Sequence, residues 1–230
     1  MKIHECKQGS DEWRLARTGI PTSSRFSDII TASGKPSQSA ERYMCTLIAE
    51  RFLGEPIEEH ISLWQQRGQG MEQEAVEFYE LQRDMDTQPV GFITDDDDRW
   101  GASPDRLVSD IGLLEIKCPA PWVHIASLLE HGKAYKEHLV QCQGQLWVTG
   151  REWVDLLSYH PALPPALIRI GRDEEFIRSI ALAVEAFSRV LEEQWALCIS
   201  RGWVSQKPKE SHVKTASEYM KEALLEMQKK

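Results

Sequence analysis

The apolar residues in the first third of the chain recur with the spacing of amphipathic helices. They predict one helix from Ala40 to Leu53, which Gly54 terminates, and another from Gly68 to Arg83. The second helix buries one face, whose members follow the i, i+4, i+7, i+8 spacing: Met71, Ala75, Phe78 and Tyr79. Upstream, the hydroxyl residues 22–24 predict an N-cap for a short helix over residues 25–30. The pattern therefore predicts an N-terminal helical region.

From about residue 88 the pattern changes to one of strands and helices in turn. Three strands are predicted first, the last two joined by a tight turn at 109–112: Val90–Thr94, Trp100–Val108 and Leu113–Cys118. Two helices and two strands follow: Trp122–Glu130, Ala134–Val148, Val154–Tyr159 and Ala166–Ile170. A long helix then runs from Asp173 to Gly202, with an inner apolar stripe: Phe176, Ile180, Val184, Phe187 and Leu191. This order predicts an α/β (α+β) fold.

The length favours one domain followed by a tail. A chain of 230 residues can bury one large core, and we expect a single domain over residues 1–203. Residues 204–230 are polar and rich in lysine, which is typical of an appendage. Within them, Tyr219–Met227 has the spacing of a short amphipathic helix.

Composition then narrows the class of protein. Hydrophobic residues make up 41% of the chain, yet no apolar run approaches the roughly 20 residues that span a bilayer. The N-terminus lacks an apolar signal region, and the five cysteines form no CxxC pair for a zinc site or a disulfide framework. We therefore expect a cytoplasmic protein with no membrane partner.

The net charge of −9 argues against a protein that coats nucleic acid, because such proteins carry a basic face. It does not exclude an enzyme that admits DNA to a local channel, since the distribution of charge matters more than its sum.

The candidate chemistry lies in the predicted hairpin, in Pro104-Asp105 and Glu115-Ile116-Lys117. Residues two apart share a face of a strand, so Glu115 and Lys117 point the same way, and the turn can bring Asp105 within reach of Glu115. Pro104 has no N–H for a strand partner, which predicts a bulge or bend that re-aims Asp105. Two carboxylates and the Ile116 carbonyl are hard ligands of the kind Mg²⁺ prefers, and Lys117 can orient a water or stabilise charge on a phosphate. By themselves, these short strings are equally compatible with a surface hairpin whose charges face water.

Two helices supply further candidate groups. Glu72 lies at the border of the buried stripe of its helix, where an unpaired charge would be costly. A metal ion or a lysine would offset that cost, and a half-exposed carboxylate is the alternative. On a later helix His138, Gln141 and Gln145 share one stripe opposite the apolar one. Glutamine side chains can hydrogen-bond phosphates or active-site groups, and they are also common at solvent-facing positions.

In this order the residues resemble the PD-(D/E)XK nuclease superfamily and, more closely, the lambda-exonuclease (YqaJ-like) viral recombination nucleases. Four collinear stretches carry the resemblance: Trp13–Ser24, Gly68–Glu74, Ser103–Pro119 and Gln141–Thr149. The resemblance implies a restriction-endonuclease-like core, in which helices flank a central mixed sheet.

The resemblance also implies a metal site. Asp105 and Glu115 bind catalytic Mg²⁺, for which Mn²⁺ substitutes, and Ile116 contributes its carbonyl oxygen. Lys117 assists the attacking water. Two further active-site residues flank the metals: Glu72 and Gln141.

A site for the 5′-phosphate of the digested strand is implied at Arg17 and Ser24. An arginine fork suits a phosphate, and Ser24 lies near the start of a predicted helix, whose free N–H groups attract anions. From the residues alone, a surface salt bridge is the alternative for Arg17. Asp95 aligns with an acidic residue near the family's site, although a solvated turn explains the run Asp95–Asp98 more simply. Arg25 departs from the family pattern, which has an acid at that position.

The activity implied is 5′→3′ digestion of linear duplex DNA with a phosphorylated 5′ end, which releases mononucleotides and leaves a 3′ overhang. The implied partners are a single-strand annealing protein and two further copies of the chain, in a homotrimeric ring. For a phage-encoded protein the compartment is the host cytoplasm. Two alternatives remain open at this point: another endonuclease of the superfamily, and a DNA-binding or assembly module that has lost catalysis.

Overall fold

The structure, a computed structural model, describes residues 1–57, 63–129 and 133–203. The predicted helix over Tyr219–Met227 lies outside these residues. Met1–Glu193 form one compact unit, and a second unit begins at Gln194. Among the described residues, no helix is long and apolar enough to cross a membrane.

Helices and strands alternate along the described chain. The helices are α1 (Asp11–Arg17), a 3₁₀ helix (Ser23–Asp28), α2 (Ala40–Leu53), α3 (Leu63–Arg83), α4 (Pro121–Leu129), α5 (Lys133–Thr149) and α6 (Glu174–Ser200). The strands are β1 (Lys2–His4), β2 (Thr87–Pro89), β3 (Phe92–Thr94), β4 (Gly101–Ala102), β5 (Arg106–Val108), β6 (Gly112–Lys117), β7 (Trp153–Ser158) and β8 (Ala166–Gly171).

The strands form two sheets. The larger has the order β2-β5-β6-β7-β8, and the smaller has the order β1-β3-β4. In the larger sheet β6 runs parallel to β7, while the other neighbouring pairs are antiparallel. The predicted mixed sheet flanked by helices is therefore confirmed.

The predicted strand Trp100–Val108 is wrong as a single element. Its first part, β4, belongs to the smaller sheet, and its last part, β5, belongs to the larger one. Residues 103–105 make the crossing, and Pro104 cannot donate a ladder hydrogen bond there. The strand predicted over Val90–Thr94 corresponds to β3 of the smaller sheet, and β2, which precedes it in the larger sheet, was not predicted. After β2 the chain thus passes directly from one sheet to the other twice, at Val90–Gly91 and at 103–105.

Both faces of β6 are buried, which makes this strand the centre of the molecule. Leu114 and Ile116 pack with residues from α3 that include Ala75, Val76 and Tyr79. Leu113 packs instead with Cys142 and Leu146 of α5. Because side chains alternate across a strand, Glu115 and Lys117 lie on the α5 face.

Several predicted helices have the expected ends and faces. Helix α2 covers Ala40–Leu53, and Gly54 follows it in the left-handed conformation with φ of 72°. Ile180, Val184 and Leu191 on α6 are fully buried. Such helices are predictable because their ends and faces depend on residues close in sequence.

Two predicted helix starts differ from the structure. Helix α3 begins at Leu63 and includes the glycines at 68 and 70, because a long packed helix absorbs the roughly 1 kcal/mol cost of each. The hydroxyl N-cap is wrong: residues 23–28 form a 3₁₀ helix, and the side chain of Thr22 makes no capping hydrogen bond.

Candidate active site

The register of β5 against β6 places the two acids of the hairpin opposite each other. Arg106 pairs with Leu114, so continuing the ladder by one residue puts Asp105 opposite Glu115. One residue further, Pro104 would face Ile116. The Asp105 side chain is half-buried, whereas only 3% of Glu115 is exposed.

The backbone groups of Ile116 face the position where β5 ends. The carbonyl of Lys117 accepts from the N–H of Tyr159 on the β7 side, at 2.8 Å. Because consecutive residues of a strand direct their backbone groups to alternate sides, the N–H and C=O of Ile116 point away from β7. The Ile116 N–H donates to the Asp105 carboxylate at 2.5 Å. Pro104 has no N–H for the Ile116 carbonyl, so that oxygen is left available for another ligand.

The carboxylate of Glu115 is held by three donors. The Lys117 ammonium and the Gln141 amide each lie 2.6 Å from Oε1. The Gln145 amide donates to Oε2, also at 2.6 Å. Gln145 is fully buried, and its own carbonyl oxygen has no partner among the described residues. The sequence indicated Gln145 only as part of a polar stripe; its i+4 spacing from Gln141 was the signal that both amides reach the same acid.

Two carboxyl groups lie beside a single lysine, and this affects their protonation. Burial raises the pKa of Asp105 well above its ordinary value, and the Glu115 carboxylate raises it further. Burial acts to lower the pKa of Lys117, but the Glu115 and Asp105 carboxylates raise it overall. His138, one turn before Gln141, has its pKa lowered to about 4 by burial and by the charge of Lys117. At neutral pH this imidazole is therefore uncharged.

Glu72 on α3 lies on the Asp105 side of the site. It lines a cavity of about 620 Å³ together with Asp105, Gln8 and Arg106. Its charge also contributes to the raised pKa of Asp105. No described residue donates a hydrogen bond to the Glu72 carboxylate, so the half-exposed acid is the interpretation that the structure favours over a lysine partner.

The donor chemistry fits a hard divalent cation. Within the described ranges, no group of three or more His, Cys, Asp or Glu side chains is close enough to hold a metal ion by itself. Mg²⁺ does not need such a group, because it commonly binds through one or two carboxylates and fills its other positions with water and substrate phosphate. Asp105 and Glu115, with the unclaimed Ile116 carbonyl, are a donor set of that kind.

The pocket around Arg17 is formed by hydroxyl and aromatic side chains. Its guanidinium donates to Ser103 Oγ at 3.3 Å and to Ser24 Oγ at 3.4 Å, and it stacks 4.0 Å from the Trp13 ring centroid. No described acid forms an ion pair with it, so the surface salt bridge considered for Arg17 is not found. Burial lowers its pKa to about 10, which leaves it charged at neutral pH.

Ser103 joins this pocket to the acids, and the sequence pattern did not indicate it as a site residue. It accepts from both Arg17 and the Trp13 indole, and it precedes Asp105 by two residues. Its place directly before the Pro-Asp string was the available signal. Ser24 is exposed and belongs to a 3₁₀ helix of six residues, which is too short for the predicted helix-terminal attraction of anions.

Asp95 and Arg25 have local partners instead. Asp95 accepts from the backbone N–H of Arg99 at 2.6 Å and from its side chain at 2.7 Å, as expected for an acid that caps its own turn. Arg25 pairs with Asp28 at 2.5 Å and lies over the ring of Tyr43.

Comparisons with known proteins identify the family and similar solved structures. The family model of the YqaJ-like viral recombinase domain matches residues 12–152. The chain is similar to an alkaline exonuclease, LHK-Exo, from Laribacter hongkongensis: identity is 35%, 84% of this chain and 98% of that one are covered, and the TM-score is 0.76. LHK-Exo in complex with dAMP matches over the same shares with 35% identity and a TM-score of 0.75.

A phage-related exonuclease from Haemophilus somnus 129PT shares the fold, at 16% identity. The match covers 77% of this chain and 96% of that one, with a TM-score of 0.62. A comparison with curated protein sequences found no significant match.

Proposed function

Because the chain belongs to the family of YqaJ-like viral recombinase domains, we propose that it is a Mg²⁺-dependent exonuclease that digests linear duplex DNA from the 5′ end. One observation carries the proposal: Ser103, which accepts a hydrogen bond from Arg17, lies two residues before Asp105 of the Asp105–Glu115–Lys117 group, and no described acid forms an ion pair with Arg17. A nuclease needs the acids and the lysine to cleave the phosphodiester. An enzyme that starts at a 5′ end also needs a cation such as Arg17 to hold the terminal phosphate.

Asp105, Glu115 and the Ile116 carbonyl would hold Mg²⁺, and Mn²⁺ would substitute. When bound, the metal supplies a water of lowered pKa and stabilises charge on the phosphate. The amides of Gln141 and Gln145 fix the orientation of Glu115, as outer partners of metal ligands commonly do.

Lys117 lies on the same face of β6 as Glu115, and its raised pKa keeps it positively charged at neutral pH. Its ammonium can orient the attacking water and stabilise the negative charge that builds on the phosphate oxygens. Glu72, whose carboxylate accepts no hydrogen bond from a described residue, would hold a further water or metal ligand from the α3 side.

The 5′-phosphate would bind at Arg17, Ser24 and Ser103. The Arg17 guanidinium donates to the Ser103 and Ser24 hydroxyls at 3.3 and 3.4 Å. A phosphate oxygen is a stronger acceptor than either hydroxyl, so the guanidinium would bind it directly. The next phosphate along the strand would then lie toward Asp105, which makes the first phosphodiester the one cleaved.

This arrangement predicts 5′-mononucleotides as products and a 3′ single strand as the remaining DNA. The complex of LHK-Exo with dAMP supports the assignment of a mononucleotide product. A homotrimeric ring would retain DNA without a basic surface, which suits a chain of net charge −9. The 3′ overhang would be passed to a single-strand annealing protein in phage recombination in the host cytoplasm.

One assay tests this function. Linear duplex DNA with one phosphorylated 5′ end is incubated with the protein and Mg²⁺, beside a closed circle of the same sequence. We expect mononucleotides from the phosphorylated strand and an intact circle. Cutting of the circle would instead identify an endonuclease, and inertness on both substrates, equal to that of Asp105→Ala, would leave a DNA-binding module.

A further inference from the structure

Gln8 binds the backbone at both places where the chain passes between the two sheets. It lies between β1 and α1, and its side-chain amide donates to the carbonyl of Val90 at 2.9 Å and to that of Pro104 at 2.8 Å. Val90 separates β2 from β3, and Pro104 separates β4 from β5. One side chain thus fastens the two crossings to each other.

The bond to Pro104 bears directly on Asp105. In a regular antiparallel ladder every second facing pair is hydrogen-bonded, and Pro104 and Ile116 would occupy such a position, with the Pro104 carbonyl accepting from the N–H of Ile116. Gln8 claims that carbonyl, and the Ile116 N–H donates to the Asp105 carboxylate instead. The choice of acceptor for one amide proton therefore decides where the Asp105 side chain is held.

We propose that Gln8 is a positioning residue for the Asp105 side of the metal site. By holding the Pro104 carbonyl away from the ladder, it leaves the Ile116 N–H to orient Asp105. Gln8 does this from the wall of the cavity that Asp105 and Glu72 also line. The inference rests on the proposed function, since the metal gives the orientation of Asp105 its purpose.

Gln143 provides the matched control. Its buried amide also makes two backbone hydrogen bonds, donating to the Gly171 carbonyl at 2.8 Å and accepting from the Asp173 N–H at 3.0 Å. These bonds tie α5 to the start of α6 and involve neither Asp105 nor Ile116. Loss of Gln143 removes a comparable structural tie and leaves the acids in place.

The test compares Gln8→Met with Gln143→Met in the full-length protein. Mn²⁺ binding is measured by calorimetry without DNA, and the Ile116 amide resonance is followed by NMR. We expect Gln8→Met to weaken Mn²⁺ binding by roughly 10-fold to 100-fold, as loss of an outer partner of a metal ligand commonly does. We also expect it to shift the Ile116 resonance upfield and to lower kcat, with KM for DNA unchanged. Gln143→Met should unfold at a lower temperature and bind Mn²⁺ like the wild type.

Wild-type Mn²⁺ affinity and an unmoved Ile116 resonance in Gln8→Met would overturn the inference. Should Gln8→Met not fold, Gln8→Asn replaces it, because its shorter amide cannot reach both carbonyls; unchanged affinity there overturns the inference equally. If the wild type and Asp105→Asn bind Mn²⁺ alike, the proposed metal site itself has failed, which is a distinguishable result.

Discussion

Two buried acids of the larger sheet, Asp155 and Glu115, have opposite surroundings. Asp155 on β7 is fully buried and accepts from the Tyr79 hydroxyl at 2.9 Å and from both arms of Arg169 at 2.8 Å. Glu115 on the neighbouring strand β6 is almost as buried. Its positively charged partner, Lys117, also interacts with a second acid, Asp105. Asp155 has its charge matched by an arginine, whereas the Glu115 region has more carboxyl groups than ammonium groups.

The difference separates a structural acid from a candidate catalytic one. A bidentate arginine balances the charge of Asp155, and together with the tyrosine it holds this carboxylate between the sheet and α3. Around Glu115, burial and then the neighbouring carboxylate raise the pKa of Asp105, which is a cost that binding of a divalent cation would remove. Burial alone therefore does not indicate function, whereas unmatched charge does.

Loss of Lys117 should have the largest effect on the rate of DNA cleavage. We expect Lys117→Met to lower the rate of DNA cleavage by roughly 10²-fold to 10³-fold, the usual cost of removing one donor that stabilises a transition state. Unfolding should remain a single cooperative transition by circular dichroism, because the methionine keeps the aliphatic contacts. Cleavage at near the wild-type rate would remove Lys117 from the mechanism.

Loss of Arg169 should lower stability and leave the cleavage rate unchanged. Arg169→Met leaves Asp155 buried without its main cation and should lower the free energy of unfolding by about 2 kcal/mol, less than a fully buried pair because Arg169 is half-exposed. Urea denaturation measures the change, and the cleavage rate per folded molecule should stay near that of the wild type. If Arg169→Met lost cleavage while keeping its stability, the separation of the two acids would be mistaken.

In the Glu115 region, Asp105 should make stability depend on pH. Asp105 binds its proton more tightly in the folded protein than in the unfolded chain, where the pKa of an aspartate is about 3.9. Its contribution to stability is therefore fully present below about pH 4 and is lost as pH rises through the folded pKa. In metal-free buffer, denaturation at a series of pH values should show this loss in the wild type and a smaller one in Asp105→Asn. Equal slopes for the two proteins would contradict the assignment.

The smallest effect concerns the end of the DNA that is recognised. Arg17→Ala should reduce the preference for a 5′-phosphorylated over a 5′-hydroxyl end by about 10-fold, which corresponds to roughly 1.4 kcal/mol. Competition between the two labelled ends in one reaction measures the ratio. Arg25→Ala is the control, because Arg25 pairs with Asp28 and should leave the preference unchanged. An unaltered preference in Arg17→Ala would remove the 5′-phosphate assignment.

Much of the fold could be predicted because it depends on nearby residues. The bounds of α2 followed from its periodicity and from Gly54, and the buried stripe of α6 followed from its spacing. The facing of Asp105 and Glu115 was also within reach, since a short hairpin turn limits the register. The division of Trp100–Val108 between two sheets was not, because the residues of β4 and β5 have similar strand preferences and only their distant partners differ.

The candidate site likewise has features that the sequence predicts and features that it does not. The sequence by itself determined which groups are available: two acids and a lysine on a hairpin, an arginine near the N-terminus and amides on a helix. Only the tertiary structure decided that Gln145 reaches Glu115, that Ser103 joins Arg17 to the acids and that Gln8 holds the Pro104 carbonyl. Each of these contacts joins residues distant in sequence, and their distances depend on how sheets and helices pack. Periodicity and local spacing carry no information about that packing.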